Sequence, residues 1–161
     1  MGKIALSLTI NGESHDVLVE PHRTLLDVLR TDLGLTGTKE NCLDAECGVC
    51  TLLLDGVAVN ACIVLAVQCR DRAVVTIEGL AVGAELHPLQ RAFIDAGAVQ
   101  CGYCIPGMML TAKALLAENP DPDEDEVRWA LSGNLCRCTG YQNIVAAALA
   151  AARSLAATTR S

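Results

Sequence analysis

The sequence contains nine cysteines, and eight of them fall into two groups of four. The first group is Cys42, Cys47, Cys50 and Cys62, with four residues between the first two, two between the next two and eleven before the last. Thiolates at this spacing bind plant-type [2Fe-2S] clusters. Because such a cluster carries one electron at a time, the first group predicts an electron-transfer site.

The second group lies in the later half of the sequence and consists of Cys101, Cys104, Cys136 and Cys138. Its Cys-x-Cys pair is unusual for zinc knuckles, in which two to four residues separate the ligands. Pro106 predicts that Cys104 lies just before a helix, and a helix predicted from Tyr141 follows Cys138. Both pairs are therefore expected at helix N-termini, where the helix dipoles favour thiolates and an anionic cluster.

Two other chemistries fit four cysteines. Either group could instead hold a structural zinc ion. Disulfides are a weaker alternative, because they rarely persist in a reducing compartment and because the cysteine count is odd. Cys69 belongs to neither group and is predicted to be a small buried apolar residue, with its role otherwise open.

Composition and charge exclude several classes of protein. The 161 residues carry 12 Lys and Arg against 19 Asp and Glu, a net charge of −7, and 52% of them are hydrophobic. The acidic balance and the scarcity of aromatic residues argue against nucleic-acid binding. The longest uncharged apolar run is too short to span a bilayer and no secretory signal is evident, so a cytoplasmic location is expected.

Catalytic motifs are absent from the sequence. It has no Ser/His/Asp or Cys/His arrangement in a context that supports catalysis, and no Gly-rich phosphate loop. Substrate chemistry is therefore expected on a partner chain, with this chain serving to position and tune its metal clusters.

The elements that must position the first group are mainly β-strands. Apolar residues alternate over 4–10 and end at Asn11-Gly12, which predicts a hairpin with a second strand over 14–20. Thr24 and Asp27 predict a capped helix that lies across the resulting sheet.

A second hairpin is predicted around Asp55-Gly56. Counting back from this turn places Cys50 opposite Ala61, so the hairpin returns Cys62 to the loop that carries the other three cysteines of the first group. A further strand is predicted over 73–77.

Helical periodicity replaces alternation from about residue 80, which predicts one domain over 1–79 and a second over 80–161. The predicted helices of the second domain are His87–Ala96, Pro106–Glu118, Asp123–Leu131 and Tyr141–Ala157. Trp129 is expected to pack in the core with its neighbours Val127 and Leu131.

Four stretches surround the eight cysteines: Gly37 to Cys42, Glu46 to Thr51, Gln100 to Gly107, and Gly133 to Tyr141. Together they resemble the small iron-sulfur subunit of the molybdenum hydroxylases, the family that includes xanthine dehydrogenase and aerobic carbon monoxide dehydrogenase. The resemblance implies an α+β fold. Its N-terminal domain would be a β-grasp, plant-ferredoxin-like domain, and its C-terminal domain an all-α four-helix bundle, each with one [2Fe-2S] cluster.

The resemblance also implies an electron relay across partner subunits. The cluster of the helical domain would lie nearer a molybdopterin on a large subunit, with Gln100 and Cys138 beside the pterin. The ferredoxin-like cluster would face FAD on a medium subunit, and two such heterotrimers would pair. Asn41 and Ala45 occupy positions where many relatives have glycine, which predicts a change in loop geometry or reduction potential without loss of a ligand.

Two competing functions remain open at the level of sequence. A freely diffusing ferredoxin would explain the negative charge and the first group, but it leaves the four cysteines of the helical half without a role. A structural zinc protein used for interaction would explain both groups without electron transfer.

Overall fold

The structure is a computed structural model that describes residues 2–159, with a β-sheet in the first half and helices in the second. The strands are β1 (Ile4–Ile10), β2 (Glu13–Val19), β3 (Thr51–Leu54), β4 (Val57–Asn60) and β5 (Ala73–Val75). The α-helices are α1 (Leu25–Asp27), α2 (Pro88–Asp95), α3 (Ile105–Glu118), α4 (Glu124–Leu131) and α5 (Gln142–Thr159). This arrangement confirms the expected α+β class.

The sheet has the strand order β2-β1-β5-β3-β4, in which β1 and β5 are parallel and the other neighbours antiparallel. Both hairpins turn at the predicted residues, since Ile10 pairs with Glu13 and Leu54 pairs with Val57. All four turn residues have positive φ angles, from 51° to 84°. Asn-Gly and Asp-Gly adopt this conformation at low cost, which is why they set the register.

The predicted helix cap is also present. The Thr24 hydroxyl accepts the N–H of Asp27 at 3.1 Å, and the Asp27 carboxylate accepts the N–H of Thr24 at 3.3 Å. α1 then widens into a π-type turn over Val28–Asp32. Leu25 and Leu26 of this helix are fully buried in the core of the sheet half.

β5 is shorter than predicted, because the strand expected over 73–77 ends at Val75. The side chain of Asn11 accepts the N–H of Thr76 at 2.9 Å, which removes that group from the strand ladder. A 3₁₀ turn over Ile77–Gly79 follows at once. The strand therefore ends where Asn11 of the first hairpin turn accepts a hydrogen bond from the backbone of Thr76.

The four helices of the second half begin and end within two residues of their predicted bounds. α2 and α4 both pack against α5, and α3 packs against both α4 and the sheet strand β3. Leu110 of α3 is buried in the core of the sheet half, whereas Cys47 and Val49 from the first ligand loop are buried in the core of the helical half. Each core therefore contains residues from the other half of the sequence, and the two cores meet at a shared boundary.

The prediction for Trp129 was wrong. Its side chain is 82% exposed, while Val127 and Leu131 on the same helix are buried. Two residues along an α-helix correspond to a rotation of about 200°, so a residue midway between two buried ones faces away from them.

Within residues 2–159, none of the helices combines the length and the apolar character that crossing a membrane requires.

Candidate metal centres

The first cysteine group is drawn together by the loop before β3 and by the end of the β3–β4 hairpin. Cys47, Cys50 and Cys62 are buried and Cys42 is half-buried. The N–H of Ala61 donates to the carbonyl of Cys50 at 3.3 Å, which confirms that the hairpin sets these two residues opposite each other. The hairpin therefore delivers Cys62 to the loop as the sequence predicts.

The thiols of the first group lie in two pairs. The N–H of Cys47 donates to Cys42 Sγ at 3.4 Å, and the two thiols affect each other's pKa. Cys50 and Cys62 form the second pair, in which the neighbouring Cys62 thiol contributes to the raised pKa of Cys50.

The second group shows the same arrangement. The sulfurs of Cys101 and Cys138 are 3.5 Å apart, and both residues are exposed. Cys104 and Cys136 form the inner pair, with Cys104 buried and Cys136 half-buried.

This pairing fits a two-iron cluster. All nine cysteines are free of disulfide bonds, and among the described residues no three Cys, His, Asp or Glu side chains form a ligand set for one ion. The eight thiols instead lie two by two, and a four-cysteine [2Fe-2S] cluster takes two thiolates on each of its two irons. The donor set in each half of the chain therefore matches one such cluster.

Burial and hydrogen bonding act in opposite directions on these thiols. Burial raises the pKa of Cys50 and of Cys104 to about 12 each. Burial also opposes the thiolates of Cys47 and Cys136, but hydrogen bonds outweigh it and lower the pKa of both. The main donors are the N–H of Val49 toward Cys47 and, for Cys136, the hydroxyl and N–H of Thr139. Both groups thus contain a thiol whose charged form the backbone supports, as metal ligation requires.

The expectation that both cysteine pairs of the second group lie at helix N-termini holds for only one of them. Cys104 directly precedes α3 as its N-cap residue. Cys136 and Cys138 lie in a loop, and α5 begins only at Gln142, after Tyr141 with a positive φ of 69°. Since the helix dipole acts mainly within the first turn, local donors rather than α5 support the Cys136 thiolate.

The local contacts of Cys136 involve two residues whose role here the cysteine spacing did not indicate. The Tyr141 hydroxyl accepts the N–H of Cys136 at 2.8 Å. The Thr139 hydroxyl lies 3.1 Å from Cys136 Sγ, and the N–H of Thr139 donates to the same sulfur at 3.4 Å. Both residues lie within the stretch that carries the family resemblance, but the spacing of the cysteines gives no indication of these contacts.

The two ligand loops are in direct contact. The N–H of Leu135 donates to the carbonyl of Cys47 at 2.9 Å, and the Tyr103 hydroxyl donates to the carbonyl of Glu40. A cavity of about 480 Å³ has all four cysteines of the second group in its walls, and Cys47 of the first. The two candidate centres are therefore neighbours, which suits the passage of electrons between them.

The sequence also pointed to Gln100 and Cys69, neither of which belongs to the two cysteine groups, and the structure places one at the surface and the other in the core. Gln100 is exposed beside Cys101 and does not line this cavity. Cys69 is fully buried within the core of the sheet half, which confirms its predicted placement.

Ala45 lies in the first ligand loop with a positive φ of 67°, and the Asn60 side chain donates to its carbonyl at 3.1 Å. A Cβ atom in this conformation costs about 1–2 kcal/mol, so Ala45→Gly is expected to stabilise the chain by about 1 kcal/mol. The thermal midpoint of the anaerobic protein should rise by about 3 °C. The same change in a regular strand, Ala58→Gly in β4, should lower it, and a lower midpoint for Ala45→Gly would contradict the strain.

Comparison with known families agrees with this geometry. The family described as "2Fe-2S iron-sulfur cluster binding domain" matches residues 8–72, and the family described as "[2Fe-2S] binding domain" matches residues 76–149. Each match contains one of the two cysteine groups.

Individual relatives extend the likeness over nearly the whole chain. The "Nicotinate dehydrogenase small FeS subunit" of Eubacterium barkeri is 52% identical over 147 residues, which are 91% of this chain and 94% of that protein. The "Nicotine 6-hydroxylase small subunit" of Paenarthrobacter nicotinovorans is 48% identical over 147 residues, 91% of this chain and 88% of that protein.

Among solved structures, a chain of quinoline 2-oxidoreductase from Pseudomonas putida 86 superposes with a TM-score of 0.93. It is 46% identical, and the superposition covers 98% of both chains. With two cluster-binding domains in this order and relatives of matching length, the chain belongs to the [2Fe-2S] iron-sulfur subunits of the molybdenum hydroxylase family of oxidoreductases.

Proposed function

We propose that the chain relays single electrons from a molybdopterin centre on a large partner subunit, through its two [2Fe-2S] clusters, to FAD on a medium partner subunit. The observation that carries this proposal is the contact between two ligand loops that each hold two pairs of thiols. A [2Fe-2S] cluster accepts one electron, so two neighbouring clusters can hold the pair that a two-electron substrate oxidation releases.

The residues of this chain would perform three tasks in the relay. Cys42, Cys47, Cys50 and Cys62 would bind the first cluster, and Cys101, Cys104, Cys136 and Cys138 the second. Backbone N–H groups and the Thr139 hydroxyl would donate to the ligand sulfurs and so adjust the reduction potentials. The contact of the loops would keep the two clusters close to each other.

Exposure suggests which way each cluster faces. The Cys101–Cys138 pair is the exposed edge of the second group, so we propose that this edge, with Gln100 beside it, meets the molybdopterin. Cys42 is the least buried cysteine of the first group and is followed by Leu43, which is 53% exposed. We propose that this edge faces the flavin subunit.

We also propose the domain limits, the four-helix bundle and the assembly with partner subunits. Domain limits of 1–79 and 80–161 are supported by Leu80, which packs in the helical core. The packing of α2 and α4 on α5 supports a four-helix bundle. Assembly into a dimer of heterotrimers with the two partner subunits, and the cytoplasmic location expected from the short apolar runs and the N-terminal sequence, stay predictions.

The test is metal analysis together with an EPR spectrum of the anaerobically purified, dithionite-reduced protein. Two [2Fe-2S] domains predict four iron atoms per chain and two distinct signals. The proposed relay also predicts co-purification with a large and a medium subunit. Zinc without an EPR signal would support the structural alternative. A stable, fully active monomer with one cluster would support the free ferredoxin.

A further inference from the structure

The carbonyl of Gly48 is held by three donors. Asn134 Nδ2 lies 2.8 Å from this oxygen, the Thr51 hydroxyl 2.7 Å and the Thr51 N–H 3.1 Å. Gly48 stands directly after Cys47 in the first ligand loop, whereas Asn134 belongs to the loop of the second group. A side chain from the helical half therefore fixes a peptide group of the first ligand loop.

Asn134 is built into its position. Its side chain is buried, with 3% of the residue exposed. The Thr111 hydroxyl of α3 donates to Asn134 Oδ1 at 2.8 Å, and Asn134 Nδ2 also lies 3.1 Å from Thr51 Oγ1. Because a carbonyl oxygen can only accept, the NH₂ group must be the end that faces Gly48. The orientation of the amide follows from its partners on both sides.

The held carbonyl and the N–H of Val49 are parts of one peptide unit. In a planar trans peptide the C=O and N–H groups point in opposite directions, so fixing the oxygen also fixes the direction of the N–H. The N–H of Val49 contributes most among the groups that lower the pKa of the Cys47 thiol, so it acts on the sulfur of Cys47. Three hydrogen bonds on the oxygen side thus aim the donor on the nitrogen side at a proposed ligand of the first cluster.

We infer that Asn134 is a positioning residue for the first cluster, because it holds the Gly48–Val49 peptide so that its N–H donates to Cys47 Sγ and raises that cluster's reduction potential. The inference rests on the proposed function, since it requires a cluster bound by Cys47. Its unexpected part is the direction of action: Asn134 is two residues from Cys136 of the second group, yet it acts on the first cluster.

The electron balance gives the sign of the effect. When one electron passes from the second cluster to the first, the second is oxidised and the first reduced, and no bond forms or breaks. The added negative charge is shared with the ligand sulfurs, and an N–H donor stabilises it. Loss of the aimed N–H should therefore lower the potential of the first cluster and shift the electron toward the second.

The test is an EPR-monitored redox titration of the full chain, with the two clusters followed by their separate signals. Asn134→Leu removes the donor to Gly48 without adding charge, and Thr51→Val removes the second side-chain donor. Each is expected to lower the equilibrium constant for electron transfer from the second cluster to the first about tenfold, which is about 59 mV for a one-electron couple. The potential of the second cluster should not change.

Thr111→Ser is the matched control. It changes a side chain that contacts the same amide but keeps the hydroxyl that donates to Asn134 Oδ1, so both potentials should stay at the wild-type values. If Asn134→Leu fails to fold, Thr51→Val decides the result. An unshifted first cluster, or a shift confined to the second, would overturn the inference. Absence of two signals in the wild-type chain would instead refute the proposed function itself.

Discussion

Replacement of Cys136 by alanine is expected to remove the EPR signal of the second cluster and two of the four iron atoms, while the signal of the first cluster remains. Cys136 and its partner Cys104 form the inner pair of the second group, so one iron would lose half of its protein ligands. Cys47→Ala should give the reciprocal result, because Cys47 pairs with Cys42 in the first group. Iron analysis and EPR of the reduced variants measure both effects.

Cys69→Ala supplies the control for these substitutions. Cys69 is also a buried cysteine, but the one hydrogen-bond partner described for its thiol is the carbonyl of Leu65, at 3.8 Å. This variant should keep four iron atoms and both signals. Loss of both signals from Cys136→Ala, in a chain whose circular dichroism remains that of the wild type, would contradict the assignment of one cluster to each half.

Gly48→Ala is expected to destabilise the protein more than alanine at any other glycine described in the structure. A Cβ atom at Gly48 would lie 2.1 Å from the carbonyl oxygen of Gly133, and the φ of +66° is unfavourable for alanine. The conformation costs about 1–2 kcal/mol and the overlap about 1–3 kcal/mol more. The clash is between two backbones, so no side-chain rotation relieves it, and the two ligand loops must separate.

The thermal midpoint of Gly48→Ala should fall by about 10 °C, measured by circular dichroism under anaerobic conditions. Gly34→Ala is the matched control, because Gly34 has a similar φ of +70° but nothing within 4 Å of the added carbon. It should lose only about 3–5 °C from the conformational cost. If the thermal midpoint fell equally in the two variants, the contact with Gly133 would make no contribution to the destabilisation.

The sequence predicts best the features that depend on neighbouring residues. The turns at Asn11-Gly12 and Asp55-Gly56 and the cap formed by Thr24 and Asp27 depend on intrinsic backbone preferences within four residues. The cysteine spacing was equally informative about chemistry, because a cluster constrains how far apart its ligands can be along the chain. These features are where prediction and structure agree.

The sequence predicts poorly the contacts that join distant segments. β5 ends early because Asn11, 65 residues away, captures the N–H of Thr76. Asn134 meets Gly48 across 86 residues, and no local pattern indicates such a contact. Trp129 is different, since its position between two buried residues of α4 contained enough information to predict its exposure.

The exchange of residues between the two cores has a consequence for synthesis on the ribosome. The sheet half lacks β5 until residues 73–75 have emerged, and its core lacks Leu110 until most of α3 has followed. Cys47 and Val49 must wait for helices still further along the chain. The first cysteine loop therefore spends most of translation without its final packing, so its thiols need protection from oxidation, and insertion of either cluster into a half-made chain would precede the structure that holds it.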